Sequence, residues 1–256
     1  MKVLHDGNAV TMGVETIELD NYPNLKVIGC NMTGTDHLPL KECKKRGIKV
    51  ISLQGETEFL KDITSTAEHT IGLMIALMRN YKKAFRNPTY DRDYYKGHTL
   101  KGKTLGIIGD GRIGKQVKNI AESFGMLVRA FNGSEDEMLY PLLVSSDVVT
   151  LHIPLDKLNN GWFTKMGMFV RMKPTAYFIN TSRSKIVEDG ALLWALKERE
   201  IAGAAVDFTD DKKLVDYERT HDNLILTNHI GGCTYEDMEA TEKFIEDKVN
   251  TYINGL

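Results

Sequence analysis

The sequence predicts an α/β fold organised on a doubly wound parallel sheet, and three observations carry that prediction. Thr104 to Ile108 is short, apolar and β-rich, as in a strand buried on both faces. Beyond it, apolar runs at 127–131, 145–154, 176–180, 203–207 and 224–227 recur with connecting stretches between them, the pattern of parallel strands joined by crossovers. Between the first strand and the segment Lys115 to Phe124, whose Val117, Ile120, Ala121 and Phe124 share a helical face, stand Gly109, Gly111 and Gly114 in the order G-x-G-x-x-G. Gly109 permits a tight turn, Gly111 leaves no side chain to hold a pyrophosphate off the backbone, and Gly114 lets the helix close on the strand. Free N–H groups and the positive end of the helix dipole then face the phosphates. In that strand–turn–helix setting the glycines point to a dinucleotide site.

From the N-terminus, Lys2 to His5 reads as a short strand, Asp6-Gly7-Asn8 as a turn, and Glu15 to Leu19 as a second short strand. Leu25 to Gly29 and Ile48 to Ile51 are clearer strands, with a helix over 38–46 between them that Gly47 caps. The next helix spans 64–81, opening at Ser65 or Thr66. Its body, Ile71 to Met78, is apolar nearly all round, so it is buried in a domain or in a subunit interface. Residues 82–99 read as a polar and aromatic connector. Later helices are expected at 189–199 and 236–253, the last with Met238, Thr241, Ile245, Val249 and Tyr252 on roughly one face.

Composition narrows the function. With 256 residues, 42% hydrophobic and 27% charged, the chain has ample length for a core. A formal net charge of −2 gives no reason to expect nucleic acid, and no apolar run reaches membrane-spanning length. The N-terminus lacks the apolar run of a signal peptide. Cys30, Cys43 and Cys233 are odd in number, widely spaced and without metal-ligand spacing, which predicts a reducing, cytoplasmic setting and no metal.

Several stretches, in one order from about residue 24 to 233, give the chain a family likeness. They are Leu25 to Gly29, Gly34-Thr-Asp36, Gly47 to Val50, Ala67-Glu-His-Thr-Ile-Gly-Leu-Met74, Leu100 to Lys115, Asp147 to Leu155, Ile179-Asn-Thr-Ser-Arg183, Ala204 to Asp207 and Leu226-Thr-Asn-His-Ile-Gly-Gly232. On these the sequence resembles the D-isomer-specific 2-hydroxyacid dehydrogenases, the glyoxylate/hydroxypyruvate reductase, glycerate and D-lactate dehydrogenase relatives. The resemblance implies two Rossmann-like lobes: a nucleotide-binding lobe, residues 81–230, inserted into a smaller flavodoxin-like substrate lobe, residues 1–80 plus 231–256. That second lobe is shortened, because only 24 residues precede Leu25. It further implies a homodimer with helix 64–81 near the interface.

The activity it implies is hydride transfer between NAD(P)H and a small 2-keto or 2-hydroxy acid. Such chemistry needs a cation for the substrate carboxylate, a group that exchanges the hydroxyl proton near neutrality, and walls that exclude water. Arg183 follows the strand 176–180 and has the planar fork a carboxylate suits. The family's catalytic arginine maps onto it. His229 maps onto the general acid/base, and imidazole has the right reference pKa, about 6.5. Thr33 and Gly34 match the loop whose N–H groups hold the substrate carboxylate. For the cofactor, the resemblance adds Arg112 and Ile113 at the pyrophosphate turn, Ile153, Pro154 and Asn159 on the adenosine side, Thr181 and Ser182, and Asp207 for the nicotinamide amide.

Two departures stand out. The family's glutamate, five residues after the aspartate of its Ala-x-x-Asp strand, pairs with the histidine. That count from Asp207 lands on Lys212, with Asp210 and Asp211 nearby, and Asp211 is the substitute expected at the catalytic site. The ribose-binding acid expected after the second strand is Asn132, which leaves NAD and NADP both open; Gly133 and Ser134 can donate hydrogen bonds there, while Glu135, Asp136 and Glu137 would repel a phosphate. The missing glutamate also favours a second expectation, a nucleotide-binding regulator or pseudoenzyme on the same fold with little turnover.

Overall fold

The structure is a computed structural model that describes residues 1–87, 90–132, 136–155, 158–164 and 167–255, apart from the side chains of Asp6, Asp136, Glu137 and Met138. In chain order its elements are β1 (Lys2–Leu4), β2 (Ala9–Met12), β3 (Val27–Cys30), α1 (Leu40–Lys45), β4 (Lys49–Ser52), α2 (Thr57–Leu60), α3 (Ser65–Met78), α4 (Tyr81–Arg86), β5 (Thr104–Ile108), α5 (Arg112–Ser123), β6 (Leu127–Phe131), α6 (Asp136–Ser145), β7 (Val148–Leu151), β8 (Tyr177–Asn180), α7 (Ala191–Lys197), β9 (Gly203–Val206), α8 (Lys212–Thr220), β10 (Leu224–Leu226) and α9 (Tyr235–Asn254). They fall into two compact units, residues 1–63 with 232–256, and residues 64–231.

The first unit is a four-stranded sheet in the order β1-β2-β3-β4, antiparallel between β1 and β2 and parallel elsewhere. The strand expected at 15–19 lies instead at Ala9–Met12, and residues 19–21 form a 3-10 turn. Ala9, Val10 and Met12 are buried, and pairing with β3 along the whole of β2 outweighs the weak local signal. One sheet face packs Ile28 and Cys30 with Leu38, Cys43 and Ile48 around α1. The other packs Ala9 and Val27 with Leu60, Ile245 and Val249 under α2 and α9. Of the one-face positions expected on α9, Thr241, Ile245 and Val249 are buried, whereas Met238 stays exposed.

The second unit is a six-stranded, all-parallel sheet in the order β10-β9-β8-β7-β5-β6. Alternate strand residues face opposite layers. Leu105, Ile107, Val148, Ile179 and Ala205 pack under α3 and α5. Ile108, Val149, Leu151, Phe178, Ala204 and Val206 pack under α6, α7 and α8, around a cluster of Phe163, Phe169 and Phe178 whose rings lie 4.8–5.2 Å apart.

Helix α3 belongs to this unit, so the first boundary falls at 63/64 rather than the expected 80/81, and the second at 231/232 rather than 230/231. The cause is its apolar body: Ala67, Ile71, Met74, Leu77 and Met78 are buried with the strand residues just named and with Val117 and Ala121 of α5. Of the two burial sites the sequence left open for this helix, the structure puts it inside a domain. It ends at Met78, and after Asn80, at φ +54°, the chain resumes as α4 in what read as a connector. The short α2, the largely apolar α6 with Pro141 inside it, and the polar α8 were not legible as helices.

Candidate active site

Because β5 to β10 all run parallel, their carboxyl ends share one edge, the edge where open α/β sheets take ligands. The glycine turn comes off β5. Gly109 has φ +103°, and a Cβ there would sit 2.6 Å from the His152 carbonyl oxygen. A Cβ on Gly114 would lie 2.0 Å from the Gly109 carbonyl oxygen, so the turn and α5 touch backbone to backbone. A Cβ on Gly111, the N-cap of α5, would meet nothing within 4 Å. The first and third glycines are therefore required by packing, and the second by open space beside a helix N-terminus. That arrangement fits a dinucleotide pyrophosphate. Arg112 and Ile113 begin α5, three residues earlier than expected.

The loop after β8 holds Thr181, Ser182 and Arg183. Thr70 of α3 donates to the Thr66 carbonyl at 2.8 Å, so the Thr181 hydroxyl, 2.9 Å away, donates to Thr70. The Ser182 hydroxyl donates to the Ile153 carbonyl. Asn180 accepts from the Ser182 N–H at 2.9 Å and donates to the Arg183 carbonyl at 3.0 Å. The loop that carries Arg183 is thus held by four hydrogen bonds, two of them on its backbone. The Pro154 carbonyl, one residue beyond Ile153, accepts from Asn159 Nδ2 at 2.5 Å.

After β9, Asp207 is buried, its side chain 5% exposed. Its carboxylate takes Thr227 Oγ1 at 2.6 Å, the Ile230 N–H at 2.9 Å and the Gly231 N–H at 2.9 Å, with His69 Nε2 3.2 Å away. Its own carbonyl takes the His229 N–H at 2.6 Å. Three consecutive N–H groups, 229 to 231, therefore end on one residue. Burial alone would raise this carboxyl's pKa, but the hydrogen bonds of His69, Thr227, Gly231 and Ile230 win and hold it at about 2. Three of the four donors, from Thr227, Ile230 and His69, meet at Oδ1, while Oδ2 takes only the Gly231 N–H. Asp207, expected to meet a nicotinamide amide, also anchors the turn after β10.

That turn carries His229 in the left-handed region, φ +58°, with its ring 5.5 Å from the Phe208 ring. β8 and β10 flank β9, so the loops bearing Arg183 and His229 leave the sheet about 10 Å apart, two strand spacings, with Asp207 between them. Asp211 is the N-cap of α8, its carboxylate accepting from the N–H groups of Lys213 and Leu214. Lys212 is exposed at the head of that helix. Asn132 is exposed just past β6. Gly133, Ser134, Glu135 and the side chains of Asp136 and Glu137, weighed for the ribose, lie outside the described residues. Thr33 and Gly34 lie in the loop after β3 of the first unit. The polar residue to which the sequence analysis gave no site role is His69, in the polar first turns of α3 that precede its apolar body.

His152 ends β7 behind the glycine turn. Its Nε2 is enclosed without a hydrogen-bond partner among the described residues, and burial pulls its pKa down to about 4. The folded state thus holds the ring neutral while the unfolded chain titrates near 6.5, so folding stability falls as pH drops from about 6.5 towards 4. The loss should be roughly 2–3 kcal/mol. Denaturant titrations of wild type and His152→Gln across that window check it: the variant's stability should be the flatter with pH.

A parallel sheet with a glycine-cradled helix N-terminus beside it defines a dinucleotide-binding α/β protein. Its family is set by comparison. Residues 71–231 match the model of the D-isomer specific 2-hydroxyacid dehydrogenase NAD-binding domain. The glyoxylate reductase of Thermococcus litoralis is 32% identical over 96% of this chain and 79% of its own length. The D-3-phosphoglycerate dehydrogenase of Bacillus subtilis is 33% identical over 91% of this chain, which spans only 46% of that longer protein. Among solved structures, Aquifex aeolicus D-lactate dehydrogenase complexed with NAD and lactic acid has a TM-score of 0.79 at 26% identity, over 97% of this chain and 83% of that one. The apo D-lactate dehydrogenase of Escherichia coli has a TM-score of 0.83, also at 26% identity, with the same two shares. The chain belongs to the D-isomer specific 2-hydroxyacid dehydrogenase family.

Proposed function

We propose that this chain reduces a small 2-keto acid, such as glyoxylate, hydroxypyruvate or pyruvate, to the D-2-hydroxy acid with NADH or NADPH. The observation that supports it most is the shared carboxyl edge of β5, β8, β9 and β10, from which the glycine turn, Arg183, Asp207 and His229 all emerge. Arg183 holds the substrate carboxylate through its two-pronged guanidinium and polarises the keto oxygen. His229, protonated, gives its proton to that oxygen as the carbon is reduced, and is left neutral. Reduced nicotinamide, when bound, supplies the hydride. Thr33 and Gly34 are the residues proposed for the carboxylate's backbone contacts. Arg112, Ile113, Ile153, Pro154, Asn159, Thr181 and Ser182 are those proposed for the cofactor. Asn132 carries no charge to repel a 2′-phosphate, so both nucleotides belong to the proposal.

A second reading is a nucleotide-binding regulator with little turnover. Two observations favour it: Lys212 stands at the count of the family's glutamate, and the Asp211 carboxylate caps α8. The free cysteines, two of them buried, support a reducing compartment, and homodimerisation is carried over from the family as part of the proposal. No described helix is long and apolar enough to cross a membrane. Loss of reduced-nicotinamide absorbance against a panel of 2-keto acids separates the two readings. Turnover that disappears in Arg183→Ala supports the reductase. Tight nucleotide binding with no turnover on any acid supports the regulator.

A further inference from the structure

We propose that His69 is a positioning residue for the His229 turn, acting from α3 through the Asp207 carboxylate. The proposal rests on the reading of His229 as the acid–base group and adds a residue that no motif assigns to it. Thr227 spends its hydroxyl proton on Asp207 Oδ1 at 2.6 Å, so it turns lone pairs towards His69. His69 Nε2 lies 3.2 Å from that hydroxyl oxygen and 3.2 Å from Asp207 Oδ1. Both neighbours accept, so Nε2 carries the hydrogen and donates to them. The same Oδ1 accepts the Ile230 N–H at 2.9 Å, and Oδ2 accepts the Gly231 N–H at 2.9 Å.

The turn needs such a hold. His229 sits at φ +58°, a conformation an L residue leaves readily unless its surroundings fix it. Asp207 can fix it only while its carboxylate stays in place against the N–H groups of residues 230 and 231. His69 is the contact that ties this carboxylate to the long buried helix. The next residue, Thr70, accepts from Thr181 two positions before Arg183. One turn of α3 therefore braces the loops of both proposed catalytic groups, and His69 braces the one that must place a proton.

The test compares His69→Ala and His69→Gln, whose amide can still donate, with Met74→Ala, a core variant of the same helix whose side chain makes no hydrogen bond to Asp207 or Thr227. Three readouts are taken: kcat and nucleotide KM, the NMR titration of the His229 ring, and hydrogen exchange of the Ile230 and Gly231 amides. His69→Ala is expected to lower kcat about tenfold, the loss of one hydrogen bond to a charged group, with nucleotide KM nearly unchanged. It should also shift the His229 titration and speed exchange of the two amides about tenfold. His69→Gln should recover most of each effect, and Met74→Ala should lower Tm without reproducing them. Wild-type kcat, titration and exchange in His69→Ala would overturn the proposal, as would equal effects in Met74→Ala. If no 2-keto acid turns over, or His229→Asn keeps full activity, the acid–base reading fails by itself. The amide exchange then still decides the brace, and unchanged protection in His69→Ala sinks it.

Discussion

Replacing His229 by asparagine is expected to lower kcat by roughly 10²–10⁴, the usual contribution of a positioned acid–base group. Asparagine suits this experiment because it tolerates the left-handed backbone, φ +58°, that this position adopts. The turn should therefore survive, with the residue 229 N–H still on the Asp207 carbonyl and those of 230 and 231 on its carboxylate. Tm should stay within a few degrees, so a lost rate can be assigned to the missing imidazole. Arg183→Lys is the companion variant. Its charge remains, but the planar fork is gone, and kcat/KM should fall roughly 10²–10³ with nucleotide affinity preserved. Steady-state kinetics beside nucleotide titration check both. Turnover within threefold of wild type in either variant would remove that residue from the chemistry.

The glycine turn should divide cleanly into packing and binding. In Gly114→Ala the new methyl would meet the Gly109 carbonyl oxygen at 2.0 Å, backbone on one side and the first turn of α5 on the other. Nothing there is the loose end of a side chain, so the strand–helix pair must separate, at a cost of about 3 kcal/mol. Gly111→Val should behave in the opposite way. The residue 111 backbone, at φ −80° and ψ −161°, suits any L residue, and its Cβ would point into open space. Stability should hold, while affinity for NADH falls at least about tenfold because the side chain occupies the place of the pyrophosphate. Chemical denaturation and fluorescence titration of the nucleotide read the two effects separately. A stable Gly111→Val protein that binds NADH as wild type does would place the phosphates elsewhere.

Much of the second unit was legible in the residues. Its inner strands β5, β7, β8 and β9 are short apolar runs buried on both faces, and burial on both faces requires such runs whatever the neighbours. The glycine turn was legible because its three positions answer three different steric demands, and Arg183, Asp207 and His229 because the family resemblance mapped roles onto them. Elements whose stability comes from elsewhere were not. β2 is four residues that gain their order from pairing with β3, and α8 is a polar nine-residue helix started by the Asp211 cap and held by Leu214 and Tyr217. His69 was missed for a related reason: what it does depends on a carboxylate 138 positions further along the chain.

The amino-acid sequence by itself determined the strands of the second unit, the family and the residue types offered at the ligand edge, because periodicity, glycine sterics and side-chain chemistry are local properties. Only the tertiary structure decided which unit buries α3, that Asp211 caps α8, and that Asp207 gathers His69, Thr227 and the turn of His229. Those outcomes are set by which distant groups come within hydrogen-bonding range of one buried charge. Its desolvation must be offset by donors from two separate segments, α3 and the stretch 227–231, and no stretch of chain specifies that alone.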